Sequence, residues 1–185
     1  MDKQTKWDSK YLAKEFSPGE PDRFLIDNIF LLSPGSVLDL ASGDGRNSIY
    51  LAKKGFKVTA VDFSIEALKR LDKFANNEDA SVTTALVDIE DPRKLSLLGK
   101  FNNIVISHYK VADDILKVIE NMLYPGGKLI YHTFNENHHI KTGFNKNFCL
   151  QKYELQNKLK LNLDLYESVN GDPCNGDCDG YVFSK

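Results

Sequence analysis

The stretch Val37-Leu38-Asp39-Leu40-Ala41-Ser42-Gly43-Asp44-Gly45-Arg46-Asn47-Ser48 decides how the chain is read. A short apolar run ends in an acid, enters a glycine-rich turn and continues with helical spacing. An apolar strand feeding a Gly-x-Gly turn and a helix start is the layout of a nucleotide site at the edge of an α/β sheet. Gly43 and Gly45 carry no Cβ, so a ligand can approach the backbone closely there. The helix that follows offers unpaired N–H groups and the positive end of its dipole.

Outward from this turn, apolar runs and helical patterns alternate. Strands are expected at 36–40, 57–61, 82–87, 103–107, 128–134, 160–166 and about 181–184. Helices are expected at 46–54, from Ser64 to the Asn76-Asn77 pair, at 111–123 and, more weakly, at 92–98 and 150–159. Ile104-Val105-Ile106 is fully apolar, as a buried central strand requires. Upstream, residues 4–16 put Trp7, Tyr11 and Leu12 on one helix face. Residues 20–32 form a second helix, with Pro21 in its first turn. Pro125-Gly126-Gly127 is expected as a tight turn, 135–147 as a polar loop and 170–180 as a hairpin loop. The sum is an α/β fold: an open sheet of about seven strands, mostly parallel, with an antiparallel C-terminal hairpin and helices on both faces. One domain is expected over 1–185, with 1–33 as a helical lid and 34–185 as the core.

The bulk numbers fit this. The 185 residues are 42% hydrophobic and 27% charged, which is ordinary for a globular domain. A formal net charge of -2 argues against a dedicated nucleic-acid binder. The charged start and the lack of a long apolar run point away from a secretory leader and a membrane span. Three cysteines, an odd number, make a disulfide framework an unfavourable reading, so a cytoplasmic location is expected.

Acids follow three successive strands: Asp39, Asp62 and Asp88. In an open α/β sheet these ends line the ligand crevice. An acid after the second strand suits ribose hydroxyls, and one after the third suits an adenine amino group. Phe63 and Ile89 can flank the base. Three acids would repel a pyrophosphate, and Ser48 replaces the third glycine of a dinucleotide signature. A cationic nucleoside, S-adenosylmethionine, suits this crevice better than NAD.

The pattern Asp39-x-x-x-Gly43-x-Gly45, the acid Asp62, the Asp88-Ile89 pair and Leu123-Tyr124-Pro125-Gly126-Gly127 resemble the class I S-adenosylmethionine-dependent methyltransferases over nearly the whole chain. Gly45 to Ala52, Gly55-Phe56, Gly143-Phe144 with Glu154-Leu155, and the late Asn-Gly loop look most like the tellurite-resistance-type members. Ala41-Ser42 stands where such enzymes usually have Gly-Cys. The resemblance implies a Rossmann-like fold, an S-adenosyl-L-methionine cofactor, and varied small methyl acceptors such as a chalcogen oxyanion, a thiol or another soft nucleophile. The implied cofactor residues are Trp7, Tyr11, Asp39, Ala41, Gly43, Gly45, Arg46, Asn47, Asp62, Phe63, Asp88, Ile89 and Ser107. Arg46 and Asn47 either hold the cofactor carboxylate or form an ordinary first helical turn. Trp7 and Tyr11 either close over the cofactor or staple a helix to the core.

His108 and Tyr109, just after the fourth strand, are the candidates for catalytic proton transfer, although a histidine at a strand end is more often a packing or hydrogen-bonding residue. An acceptor that is already nucleophilic needs no base, because displacement at a sulfonium methyl is driven mostly by alignment and exclusion of water. Cys174 and Cys178, with Asp172 and Asp179, read as a solvated hairpin loop, and no metal site is expected. A non-catalytic cofactor-binding module and a methyltransferase of macromolecules remain as alternatives. The latter is disfavoured by Ser107-His108-Tyr109 where a base-flipping signature would stand.

Overall fold

The structure, a computed structural model, describes residues 2–172 and 176–185. Seven strands form one sheet in the order β3-β2-β1-β4-β5-β7-β6. They are β1 (Ser36–Leu40), β2 (Lys57–Asp62), β3 (Val82–Leu86), β4 (Phe101–Ser107), β5 (Leu123–Phe134), β6 (Asn162–Asp172) and β7 (Gly176–Ser184). β1 to β5 pair in parallel, whereas β7 is antiparallel to both β5 and β6. The sheet is therefore Rossmann-like with an antiparallel C-terminal hairpin, as the alternation of patterns predicts.

Side chains alternate across the strands and feed two packed layers. Leu38, Leu40, Ile104, Ile106, Leu129 and Tyr131 face α6 (Asp113–Met122), which buries Ile115, Leu116, Ile119 and Met122. On the other face, Val37, Val105, Ile130 and Val182 meet Phe24 and Leu25 of α2 (Arg23–Asn28) and Leu51 of α3 (Arg46–Lys53). α4 (Ile65–Asn77) packs beside α3. The Ser64 Oγ caps it by accepting from the Ala67 N–H, and Glu66 stands in its first turn. The order reverses between β1 and β4, whose carboxyl ends open a crevice.

Several boundaries differ from the sequence expectations. α1 (Lys3–Ala13) ends earlier than 16 and buries no side chain. α2 starts at Arg23, because Asp22 accepts the Phe24 N–H as an N-cap; Pro21 thus lies outside the helix. Pro125-Gly126-Gly127 is not a free turn but part of β5, where the register against β4 slips between the Phe101 and Asn103 rungs. The expected loop at 135–147 contains α7 (Glu136–Thr142), capped by Asn135 and ended by Gly143 in the left-handed region, then a 3-10 turn at Lys146–Phe148. The weak helix shrinks to α8 (Glu154–Lys158), and α5 (Pro92–Ser96) is a little over one turn.

The hairpin is longer than expected. Cys178 and Asp179 are not in a solvated loop: they lie in β7, only 1% and 2% exposed. Strand pairing to Phe134 and Val169 covers Cys178. The Asp179 carboxylate is satisfied by Asn135 Nδ2, Ser168 Oγ and Tyr166 Oη. Cys174 and the Asp172 side chain fall outside the described residues. Among the described residues, no helix is long and apolar enough to cross a membrane.

Candidate active site

β1 leaves the sheet at Ala41, which adopts a left-handed conformation (φ 56°), and the chain then turns through Gly43 (φ 56°) and Gly45 (φ 89°) into α3. The same bend recurs at the end of β4, where His108 has φ 56°. A non-glycine residue in this region costs about 1–2 kcal/mol, and such strain is concentrated where a scaffold must present a functional surface. Between the two bends lies a cavity of about 270 Å³. Its floor is Ala41, Ser42, Gly43 and Asp44, and its walls include Asp62, Phe63, Ser107, His108 and Tyr109. Trp7, Tyr11 and Lys14 of the N-terminal segment cover it, and Gly19 and Arg46 close one end.

Gly43 is glycine for a spatial reason as well as a conformational one. A Cβ there would come 2.6 Å from the Tyr11 hydroxyl. The Gly43 N–H donates to Asp62 Oδ2 (2.8 Å), and the Ser64 N–H donates to Asp62 Oδ1 (2.9 Å). Burial raises the Asp62 carboxyl above the usual range, against the lowering effect of those N–H groups. Each oxygen keeps a lone pair for a ligand hydroxyl. Four buried hydroxyls lack a partner among the described residues, Thr133 Oγ1 and Tyr181 Oη away from the cavity and two beside it. Ser42 Oγ and Ser107 Oγ are fully buried and make no hydrogen bond among the described residues.

The N-terminal helix is held by charge rather than by core. Asp8 Oδ1 accepts from Ser64 Oγ (2.5 Å) and from the Glu66 N–H (3.3 Å). Lys14 reaches Asp44 (2.7 Å), which also pairs with Arg70 (3.4 Å). Lys3 pairs with Glu90 (2.7 Å), and its ammonium stands 5.2 Å from the Phe63 ring centroid and 5.9 Å from that of Tyr109. Trp7 is 37% exposed and tilts against Tyr11 at 6.2 Å, so it is not stapled into the core.

Not all the expected site residues face the cavity. Asp39 lies behind the turn, 2% exposed, accepting from Ser48 Oγ at 2.5 Å. Burial pushes its carboxyl up to about 7, with Ser48 and Arg46 opposing. Gly45 packs against Leu71. The Asn47 amide is turned inward, its Oδ1 accepting the Asp22 N–H (2.8 Å). Asp88 is exposed and accepts the Glu90 N–H, while Ile89 is buried in the core. Tyr109 donates to Glu90 (2.8 Å); burial, and then that carboxylate, raise its phenol, which disfavours its ionisation.

Sequence reasoning overlooked Asp22. Its carboxylate is fully buried, and its Oδ2 lies 3.0 Å from His132 Nδ1 and 3.3 Å from His108 Nδ1. Arg46 Nη2 reaches the same His108 nitrogen at 3.0 Å and stands 4.0 Å from Asp22. Burial would raise the Asp22 carboxyl, but the His132 hydrogen bond and the neighbouring imidazoles and Arg46 outweigh it and hold it below the usual range. In the sequence this residue falls inside the helix expected over 20–32 and carries no other signal. Asp44, between the two glycines, carried a clearer signal.

The strand order, the glycine turn after β1 and the acid after β2 place this domain with the S-adenosylmethionine-dependent methyltransferase folds. The crystal structure of TehB from Haemophilus influenzae superposes over 100% of this chain and 67% of that one, with a TM-score of 0.73 at 20% identity. The N-methyltransferase NodS from Bradyrhizobium japonicum, solved with S-adenosyl-L-homocysteine, superposes over 100% and 99% (TM-score 0.74, 17% identity). More specifically, the family described as Tellurite resistance protein TehB matches residues 6–170, and the chain belongs to that family. A probable S-adenosyl-L-methionine-dependent methyltransferase TehB from Haemophilus influenzae is 34% identical over 112 residues, 60% of this chain and 39% of that protein. The putative methyltransferase YqeM from Bacillus subtilis is 34% identical over 106 residues, 52% and 41% respectively. The chain thus spans about two fifths of the length of these relatives.

Proposed function

We propose that this protein is a cytoplasmic S-adenosylmethionine-dependent methyltransferase acting on a small, already nucleophilic acceptor such as a thiol or a chalcogen oxyanion. The observation that carries the cofactor reading is the cavity lining. A glycine turn lies under Tyr11, an acid ends β2, and the buried hydroxyls of Ser42 and Ser107 have no hydrogen-bond partner among the described residues. These groups fit a nucleoside with a polar tail: Asp62 accepts from ribose hydroxyls, Ser42 and the Gly43 turn meet the amino-acid end, and Phe63 and Tyr109 flank a planar base. Residues 1–33 act as the lid over the core at 34–185.

When bound, the cofactor supplies an electrophilic methyl group on a positively charged sulfur. The chain's own part is alignment and exclusion of water, since the leaving group is neutral and needs no acid. Tyr11 and Trp7 present aromatic faces to that positive charge. Lys3 leaves the slot between Phe63 and Tyr109 when a base enters. His108, held by Asp22 and Arg46, faces the cavity where an acceptor would stand, and with Tyr109 is the candidate for receiving or relaying a proton. The strong coupling of the Tyr109 phenol to Glu90 favours His108.

The reading is tested by incubating the pure protein with methyl-labelled S-adenosylmethionine and fractionated small-molecule and macromolecular extracts. Label in a small-molecule fraction supports it. Label only in protein or nucleic acid assigns a macromolecular acceptor instead. Calorimetric binding with no transfer to any fraction assigns a non-catalytic binding module. Undiminished turnover by His108→Ala removes His108 as a base.

A further inference from the structure

The ends of β4, β5 and β7 bring together three side chains, of which only His108 has a place in the proposed methyl transfer, and a metal-bound His108 could not also serve as the base. His108 follows β4, His132 is the β5 partner of Ser107, and Cys178 pairs with Phe134 two residues further along β5. Strand alternation puts His132 and Cys178 on the same face of the sheet. Gly180, opposite His132, has no side chain; its place is taken by the Phe24 ring, which stacks on His132 at 5.1 Å. One ligand atom from each of His108, His132 and Cys178 lies within 4.8 Å of the others.

We propose that His108, His132 and Cys178 bind one divalent metal ion of borderline softness, zinc in the first instance, with Asp22 holding the imidazoles from behind. Two imidazoles and a thiolate are the donor set such an ion selects. In a tetrahedral zinc site the ligand atoms stand about 3.5 Å apart, so these side chains must close by about 1 Å. Asp22 supplies what the outer shell of such a site needs. A carboxylate that accepts Nδ1–H fixes the tautomer and leaves Nε2 as the donor. Arg46 and Asp22 compete for His108 Nδ1, because Arg46 needs a lone pair there and Asp22 needs a proton. Metal binding therefore selects the Asp22-bonded tautomer and releases Arg46.

Charge and access also agree. One thiolate and the buried Asp22 carboxylate neutralise a divalent ion. His132 and Cys178 line a second cavity of about 190 Å³ between α2 and β6, while His108 lines the first, so the cluster forms the wall between the two and both give entry. Three protein ligands leave the fourth position for water or an anion, as in catalytic rather than closed structural sites. The inference rests on this geometry and not on methyl transfer.

The test uses the full chain without a histidine tag, stripped with chelator and titrated with Co2+ and Zn2+. The expected result is one metal per chain, with a thiolate-to-cobalt charge-transfer absorption. Cys178→Ser should abolish that absorption and His132→Ala should weaken binding strongly. Asp22→Asn, which keeps the N-cap, should weaken it about tenfold or more. Cys149→Ser, Cys174→Ser and the His138→Ala/His139→Ala double variant should retain it. Far-ultraviolet circular dichroism checks each fold. His108→Ala, at the most accessible of the three positions, carries the test if Cys178→Ser does not fold. Substoichiometric binding, absorption that survives in Cys178→Ser, or loss in Cys149→Ser or Cys174→Ser would overturn the proposal.

Discussion

Replacing Asp39 by asparagine should change how stability depends on pH, by an amount that follows from its burial. The carboxyl titrates at about 7 in the folded protein, against an ordinary value of 3.8. In an acidic solution both states hold the proton and the residue costs nothing. As pH rises through 3.8 the unfolded chain loses its proton while the folded one keeps it, so stability falls until about pH 7 and is flat above. A difference of about 3 pKa units at about 1.36 kcal/mol each amounts to about 4 kcal/mol lost across that window. With a urea slope of about 2 kcal/mol per molar, this is a midpoint shift of about 2 M between pH 4 and pH 8. Asp39→Asn removes the titration but leaves Ser48 an acceptor. Any unpaired amide hydrogen adds a penalty of about 1–3 kcal/mol that does not depend on pH. The diagnostic is therefore slope, not offset. Urea unfolding of both proteins without cofactor, at pH 4, 5, 6, 7 and 8, measures it. The difference between the two midpoints should drift by about 2 M in favour of the variant as pH rises. Parallel profiles would refute the argument that burial holds Asp39 protonated.

Three further outcomes follow from the turn and the lid. Gly45→Ala forces a Cβ into the Leu71 side chain at a positive φ, and should destabilise the fold by about 3 kcal/mol in urea melts, with no dependence on cofactor concentration beyond ordinary linkage. Gly43→Ala meets only the movable Tyr11 hydroxyl, so its stability cost should be about 1–2 kcal/mol, but calorimetry should show cofactor affinity falling about tenfold as Tyr11 is displaced. Asp8→Ala removes the acceptor for Ser64 and Glu66; hydrogen exchange over residues 3–13 should accelerate, and global stability should fall by no more than the about 1.5–3 kcal/mol of a hydrogen bond to a charged group.

What could be read from the sequence divides along physical lines. The parallel strands were legible because burial on both faces makes them apolar runs, as in Ile104-Val105-Ile106. α7 was not, since it buries no side chain and so has no apolar stripe; only its caps, Asn135 and Gly143, mark it. β7 was cut short because Gly176, Asp177 and Asp179 read as turn residues. In the fold their charges are met from elsewhere: Asp177 by Lys141, Asp179 by Asn135, Ser168 and Tyr166. The same limit hid Asp22, whose partner His132 is 110 positions away. Local spacing reports the glycine turn and its neighbours, and cannot report a carboxylate whose role is set by register between distant strands.

The size of the cavity and the weakness of the lid belong to one argument. About 270 Å³ lies at or below the small end of ligand pockets, about 300–1,000 Å³, and Lys3 stands in the slot between Phe63 and Tyr109. A nucleoside whose base fills this slot therefore has to displace Lys3, and α1 with it. α1 buries no side chain, so lifting it exposes no core. What must break are the contacts of Asp8 with Ser64 and Glu66, of Lys14 with Asp44, and of Lys3 with Glu90. Ion pairs with a half-exposed lysine are worth about 0–1 kcal/mol each, and a hydrogen bond to a charged group about 1.5–3 kcal/mol. Opening thus costs a few kcal/mol, within reach of the binding energy of a nucleoside. Asp44 sits within the glycine turn itself and Glu90 accepts from Tyr109, so the lid proposed above is latched to elements of the proposed cofactor site. A ligand that engages them competes directly with the latch, which makes entry and lid release the same event.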